Sequence, residues 1–138
     1  MINSFQNYLK LGKIKRKTPD AEEAKALIGK AMDRLEYTKG RFVDDKTAKF
    51  VLEDSYEAAR EAAQALMSVK GFKPYSHEAT ISFIREFYDF NEEDIYKFDR
   101  FRQLRNDSVY KAIKIEKADA DSCLLFASRF VNIVSKKL

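Results

Sequence analysis

Apolar residues recur at three- and four-residue steps along most of this chain, and no segment alternates apolar and polar residues over a useful length. The first spacing places apolar side chains on one face of a helix, whereas a half-buried strand needs a period of two. The 138 residues include only four Gly and two Pro, so sharp turns are few. The pattern predicts an all-α fold without a sheet, an antiparallel up-and-down bundle of four to five helices in one domain.

Capping residues predict where these helices begin and end. Residues 1–18 show no periodicity and are predicted to form an N-terminal arm, so the bundle occupies residues 19–138. Pro19 and Asp20 predict the start of the first helix, which Gly40 closes. The other predicted helices run from Asp44 or Asp45 to Lys70, from Ser76 to about Phe90, from Asn91 to about Ile113, and from Asp119 or Asp121 to the C-terminus.

The cysteine and histidine content limits the chemistry of the chain. Cys123 is the only cysteine and His77 the only histidine, which excludes an internal disulfide and a zinc site built from Cys and His. No motif places His77 in a catalytic triad. We therefore expect His77 to be a turn residue whose side chain is hydrogen-bonded to nearby backbone. Cys123 is expected to be an inert buried thiol. We predict no metal and no cofactor, which leaves Arg, Asn, Tyr, Lys and carboxylates for any chemistry.

The net charge of +4 originates in the N-terminal arm, which holds five basic residues and no acid. Such a run is either a solvated leader or a segment that binds phosphate. No apolar run approaches the roughly 20 residues that span a bilayer, and no signal pattern opens the chain. We therefore expect a cytoplasmic protein that does not enter a membrane. The candidate phosphate-binding residues of the arm are Lys13, Lys15, Arg16 and Lys17.

Residues 102–111 read RQLRNDSVYK and lie late in the helix that begins near Asn91. At about 100° per residue, Arg105 falls about 20° from Phe98, in the middle of the apolar stripe of this helix. Arg102 falls about 40° from Phe98 on the other side. Asn106 and Tyr110 are four residues apart and flank the stripe together. The stripe itself consists of Ile95, Phe98, Phe101, Val109, Ala112 and Ile113.

An arginine in an apolar stripe is costly unless its charge is paired. One interpretation is structural: the guanidinium pairs with a buried acid such as Glu57 or Glu61, or a long stem carries it to solvent. The other interpretation is a polar cleft lined by Arg105, Asn106 and Tyr110. A guanidinium binds phosphate through two hydrogen bonds and stays charged at any working pH, so phosphate or a base would be the ligand.

The stretch LRNDSVY, on the penultimate helix of a small helical bundle, resembles the HEPN family. The segment DSYEAAREAAQALMSVKGFKPYSHEATISF is also similar to the middle of prokaryotic HEPN proteins, and the resemblance runs from about residue 20 to the C-terminus. It implies a homodimer packed through the helix that carries Arg105. Many members resemble metal-independent endoribonucleases, and some are encoded beside a minimal nucleotidyltransferase as a toxin–antitoxin pair.

By position, Arg105 matches the arginine of the family motif and Asn106 the polar residue after it. Where the motif has a histidine, this sequence has Tyr110, followed by Lys111 and Ala112. Tyrosine has a reference pKa of about 10 and is a poor base at neutral pH, whereas histidine suits both proton transfers of RNA cleavage. The substitution therefore favours binding over cleavage.

The resemblance implies a HEPN-type RNA- or nucleotide-binding protein, half of a two-gene, toxin–antitoxin-like module with a nucleotidyltransferase. Its binding residues would be Arg102, Arg105, Asn106 and the basic residues of the arm. One alternative is a metal-independent endoribonuclease that uses Arg105, Asn106 and Tyr110. The other is a non-catalytic dimeric interaction module.

Overall fold

The computed structural model describes residues 2–138 as six helices and one two-stranded sheet. The predicted all-α bundle is confirmed, but the expectation of no sheet is wrong, because two three-residue strands pair antiparallel. The helices are α1 (Phe5–Lys10), α2 (Ala21–Lys39), α3 (Ala48–Lys70), α4 (His77–Phe87), α5 (Glu92–Lys111) and α6 (Lys117–Lys137), and the strands are β1 (Ile14–Arg16) and β2 (Phe72–Pro74).

The central element is α3, which packs against α2 and α6 over most of its length and against α4 and α5 at its flank. Its alanine-rich stretch lets the neighbouring helices approach closely, because small side chains leave shallow grooves between the ridges of the helix. The fully buried alanines of this stretch are Ala58, Ala59, Ala62, Ala63 and Ala65.

Side-chain caps fix the starts of three helices where the sequence predicted them. The side chains of Asp20, Ser76 and Asn91 each accept a hydrogen bond from the backbone N–H three residues further on, at 2.9, 3.1 and 2.8 Å. Each bond satisfies an N–H that has no partner inside the helix. At the end of α3, Gly71 has a φ of 80°, and an added Cβ would lie 2.7 Å from the carbonyl oxygen of Lys17.

Other helix ends differ from the prediction by a few residues. Asp44 accepts hydrogen bonds from the N–H groups of Lys46 and Thr47, so these residues form a turn and α3 begins only at Ala48. Helix α6 begins at Lys117 because Glu116 and Asp119 form a reciprocal capping box. Helix α4 ends at Phe87 and α5 at Lys111, both earlier than expected.

The first 18 residues contain regular structure that their sequence did not predict. Phe5 and Tyr8 of α1 are buried, and Ile14 of β1 lies in the core. Strand β1 pairs with β2, with Lys15 opposite Lys73. Three-residue strands are too short for a period-two signal, which explains why the pairing was not predicted.

The apolar stripe of α5 divides into a buried half and an exposed half. Phe98 and Phe101 pack against Phe126 of α6, each with a ring-centroid distance of 5.6 Å. Beyond Arg105, however, Val109 and Ile113 are exposed to solvent. The first half therefore anchors α5 in the bundle, and the second half leaves an apolar strip on the surface.

Candidate functional site

Arg102 links α5 to the first turn of α4. Its side chain is buried, and its Nε donates a hydrogen bond to a carboxylate oxygen of Asp99 at 2.7 Å. Its Nη1 lies 3.6 Å from a carboxylate oxygen of Glu78. Two carboxylates thus neutralise Arg102, which gives this arginine a structural role in holding the two helices together.

The predicted pairing of Arg102 or Arg105 with Glu57 or Glu61 is wrong. Glu61 is buried and faces α2, where it accepts a 2.9 Å hydrogen bond from Nε of Arg34. Glu57 instead accepts hydrogen bonds from Arg60, one turn further along α3. The spacing of residues predicts the faces of a helix, but it does not show which neighbour each face meets.

Arg105 differs from Arg102 because it forms no ion pair with any carboxylate in residues 2–138. Its one side-chain hydrogen bond runs from Nη1 to Oδ1 of the adjacent Asn106, at 3.2 Å. Both side chains are half-buried. Tyr110, one turn further along α5, is 76% exposed. Arg105 therefore presents an unneutralised guanidinium on a partly desolvated surface, which is where an anion binds well.

Tyr56 of α3 holds the ring of His77 at the first turn of α4, the turn that Glu78 connects to Arg102 of α5. The hydroxyl of Tyr56 is 3.0 Å from Nδ1 of His77, and the two rings stack with their centroids 5.6 Å apart. The predicted role of His77, a turn residue bonded to nearby backbone, is therefore wrong. Its partner lies 21 residues earlier in the chain, a separation that no local pattern reveals.

Arginines on two other helices affect the protonation of His77. Burial and, after it, the positive charges of Arg60 and Arg105 lower the pKa of His77 below its usual range. Burial raises the pKa of Tyr56, so its hydroxyl keeps its proton and can donate it to Nδ1. In that arrangement the neutral imidazole carries its own proton on Nε2. In the other tautomer Nδ1–H donates to the hydroxyl oxygen of Tyr56, and Nε2 is free to accept a proton. We refer to these five residues, Tyr56, Arg60, His77, Arg102 and Arg105, as the arginine–histidine cluster.

The basic residues of the first 18 positions lie on a different surface. Strand β1 packs against β2 and α1, so Lys13, Lys15 and Arg16 are exposed there rather than beside Arg105. Lys17 forms an ion pair with Glu23 of α2. The structure therefore separates the candidate binding residues into two groups and leaves Lys17 neutralised.

Two further findings concern the chemistry that is available. Cys123 is fully buried in α6, and burial raises the pKa of its thiol, so a reactive thiolate does not form there. Within residues 2–138, no three His, Cys, Asp or Glu side chains come together as a metal ion would require. The arginine–histidine cluster instead combines one guanidinium without a carboxylate partner in the described residues, that of Arg105, with a neutral imidazole that can accept or donate a proton.

Comparison with known proteins agrees with this architecture. The family model described as "HEPN domain" matches residues 24–138, which is most of the chain. No curated protein matches the sequence. Between Ile2 and Leu138, no helix has both the length and the apolar character needed to cross a membrane. HEPN domains have nucleotide- or RNA-related functions, often as nucleases, and they commonly dimerise. The extent of the match shows that the chain belongs to the HEPN domain family.

Proposed function

We propose that this protein is a cytoplasmic RNA- or nucleotide-binding protein in which Arg105 is the principal phosphate ligand and Asn106 a second polar contact. The observation that carries the proposal is the difference between two arginines on one helix. Arg102 is neutralised by Asp99 and Glu78, whereas Arg105 has no carboxylate partner in residues 2–138. An unpaired guanidinium on a partly desolvated surface is available for a charge-assisted bond to phosphate.

Binding of labelled single-stranded RNA, measured by fluorescence anisotropy in EDTA, tests this proposal. Arg105→Ala should weaken binding about tenfold or more, because a hydrogen bond to a charged group contributes roughly 1.5–3 kcal/mol. Arg100→Ala is the matched control, since Arg100 is an exposed arginine on the same helix. Equal losses in the two variants would mean that Arg105 adds only to the overall charge of the surface.

The exposed half of the α5 stripe supports a homodimer. Val109, one turn beyond Arg105 on α5, and Ile113, just past the end of the helix, expose apolar surface. In a two-fold dimer through this part of α5, Arg105 of each protomer would lie near its symmetry mate across one shared cleft. Sedimentation should show a dimer, and Val109→Asp should shift it towards the monomer. A wild-type protein that is monomeric at high micromolar concentration would contradict this arrangement.

His77 favours a second candidate function, metal-independent endoribonuclease activity. In the tautomer whose Nδ1–H bonds to Tyr56, Nε2 of His77 can accept the proton of an RNA 2′-hydroxyl while the 2′-oxygen attacks phosphorus. The P–O5′ bond then breaks as the 5′-oxygen takes a proton from water. Tyr110, which the sequence suggested for this role, has a high reference pKa and stands exposed on the surface. Cleavage in EDTA that His77→Asn abolishes and Tyr110→Phe leaves intact would support His77 as the base.

The family resemblance also supports a two-gene, toxin–antitoxin-like module with a nucleotidyltransferase. Copurification of this protein with the product of an adjacent nucleotidyltransferase gene would test that part of the proposal. A protein that dimerises but binds neither RNA nor nucleotide would instead favour the interaction module. Tyr110→His adds a further test: if the cleft lacks only a base, this substitution should produce or raise cleavage.

A further inference from the structure

The small sheet carries a second basic surface, remote in sequence from Arg105. Lys15 of β1 and Lys73 of β2 are directly opposite each other. Their ammonium groups lie 5.0 and 5.4 Å from the ring centroid of Tyr75, which is 51% exposed. Neither lysine forms an ion pair within residues 2–138. We refer to Lys15, Lys73 and Tyr75 as the lysine–tyrosine patch.

Two like charges directly opposite on paired strands destabilise a sheet. Contact with the face of Tyr75 offsets part of this repulsion, because the ring attracts both ammonium groups. Lys13 is exposed just before the strand and adds a third positive charge, whereas Arg16 lies on the opposite face, over the ring of Phe72. An anion bound between the lysines would remove the remaining repulsion, so the patch is better suited to a bound phosphate than to water alone.

The backbone around the patch holds these side chains in place. The N–H of Tyr75 donates to the carbonyl oxygen of Lys13 at 2.8 Å, and the N–H of Lys17 donates to that of Gly71 at 2.9 Å. On the opposite face of the strands, Ile14 and Phe72 are buried in the core. Because side chains alternate between the two faces of a strand, this burial directs Lys15 and Lys73 to solvent.

The patch adjoins the arginine–histidine cluster along the chain. Tyr75 leads through Ser76 directly into His77, the first residue of α4. A strand of RNA held at Arg105 could therefore continue past the start of α4 towards the sheet. Cations beside an exposed aromatic ring are typical of surfaces that bind single-stranded nucleic acid, where the cations contact phosphates and the ring stacks on a base.

We propose that the lysine–tyrosine patch is a second subsite for single-stranded RNA, in which Lys15 and Lys73 contact backbone phosphates and Tyr75 stacks on a base. The proposal takes its ligand from the proposed function of Arg105, but its geometry is independent of that residue. It predicts that RNA long enough to reach both surfaces binds more tightly than RNA that occupies the arginine–histidine cluster alone.

Two labelled RNAs separate the two surfaces: a dinucleotide, and a single strand of about twelve nucleotides, within the range of known single-strand sites. The double variant Lys15→Ala/Lys73→Ala should weaken binding of the longer RNA about tenfold or more. It should also reduce the slope of log binding constant against log salt concentration by about 1.4 in magnitude, since each phosphate contact in a single strand contributes about 0.7 to that slope. Dinucleotide binding should not change. Lys25→Ala/Lys136→Ala, which removes two exposed lysines from other helices, is the matched control.

Tyr75 has its own test. Tyr75→Ala should weaken the longer RNA about tenfold, whereas Tyr75→Phe should keep the affinity, because stacking needs the ring and not the hydroxyl. Neither substitution should affect a duplex of the same length, whose bases are unavailable for stacking. An equal loss with Tyr75→Ala on duplex and single strand would overturn the stacking role.

Three results would overturn the subsite as a whole. The first is an equal loss of affinity in the patch and control double variants. The second is wild-type affinity for the longer RNA in the patch double variant, with circular dichroism showing that the variant is folded. The third is cosedimentation with phosphatidylserine vesicles that depends on the patch while RNA binding does not. Failure of the Arg105 proposal is distinguishable, because Arg105→Ala would then leave dinucleotide binding unchanged.

Discussion

The hydroxyl of Tyr56 lies 3.0 Å from Nδ1 of His77, so the middle of α3 fixes the imidazole at the first turn of α4. Tyr56 is buried and keeps its proton, since burial raises its pKa. The charges of Arg60 and Arg105 reach the same imidazole. One histidine and two arginines from three helices therefore share one site, although none of them is adjacent in the sequence.

The lowered pKa of His77 predicts a pH dependence of stability. Burial and the nearby arginines lower this pKa in the folded protein, whereas the unfolded chain has an ordinary value near 6.5. Below about pH 6.5 the unfolded state therefore binds the proton more readily, and the free energy of unfolding falls by up to about 1.4 kcal/mol per pH unit. Above that pH, His77 contributes no pH dependence.

Urea unfolding from pH 7.5 down to pH 5, in wild type and His77→Gln, isolates this contribution. The difference in free energy of unfolding between the two proteins should be constant above about pH 6.5 and should change below it in favour of the variant. Carboxylates titrate in both proteins and cancel in the difference. A difference that is independent of pH throughout would show that His77 has the same pKa in the folded and unfolded states.

Arg102 and Arg105 should differ in their effects on stability. Arg102→Ala removes a buried guanidinium and leaves Asp99 with only its hydrogen bond from Gln103, so we expect a loss of roughly 1.5–3 kcal/mol. Arg105→Ala breaks only the bond to Asn106 and should change the free energy of unfolding by less than about 0.5 kcal/mol. Chemical denaturation measures both values. A larger loss for Arg105 than for Arg102 would reverse the roles assigned to them.

Because the carboxylate of Glu61 is buried, we expect Arg34→Ala to lower the free energy of unfolding strongly. Glu61 is only 2% exposed, and its closest partner is Nε of Arg34 at 2.9 Å. Without that arginine a carboxylate remains buried with poor compensation, which costs about 3 kcal/mol. Lys30→Ala is the control: its ammonium group is solvent-exposed and 3.5 Å from the same carboxylate, so its loss should cost less than about 1 kcal/mol. Neither variant should alter RNA binding at Arg105.

Ala112 predicts a stabilising substitution at the end of α5. Its φ of 53° lies in the left-handed region, where a Cβ is strained and glycine is not. Ala112→Gly should raise the free energy of unfolding by about 1 kcal/mol. Ala118→Gly, in the first turn of α6 where the backbone is an ordinary helix, should lower it by about 0.5–1 kcal/mol. Thermal unfolding of both variants checks whether the first becomes more stable and the second less stable than the wild type.

The sequence predicted those features of the fold that depend on neighbouring residues. The caps at Asp20, Ser76 and Asn91 are local signals, and so is the left-handed glycine that ends α3. The pairing of Lys15 with Lys73 was not predictable, because it joins two three-residue segments that lie far apart in the chain. Strand pairing of this kind depends on where the bundle brings the segments, and no periodic pattern records it.

The candidate site was predictable only in part, for the same reason. The position of Arg105 in the apolar stripe and the family resemblance both predict that α5 carries the candidate site. The helical wheel, however, did not show that Arg102 faces Glu78 of α4 or that Glu61 faces α2. The contact of His77 was not predictable from the local sequence, because its hydrogen-bonding partner, Tyr56, lies on another helix.

The central claim is that His77 and Arg105 belong to one site that binds RNA phosphate. Because His77 is the only histidine, its imidazole gives a single, assignable set of NMR signals in untagged protein. Titration with a short single-stranded RNA should shift these signals and raise the pKa of His77, since a bound phosphate offsets the positive charges that lower it. Arg105→Ala should weaken this response, whereas Arg100→Ala should not. RNA that binds while the His77 signals and their pKa stay unchanged would contradict the claim.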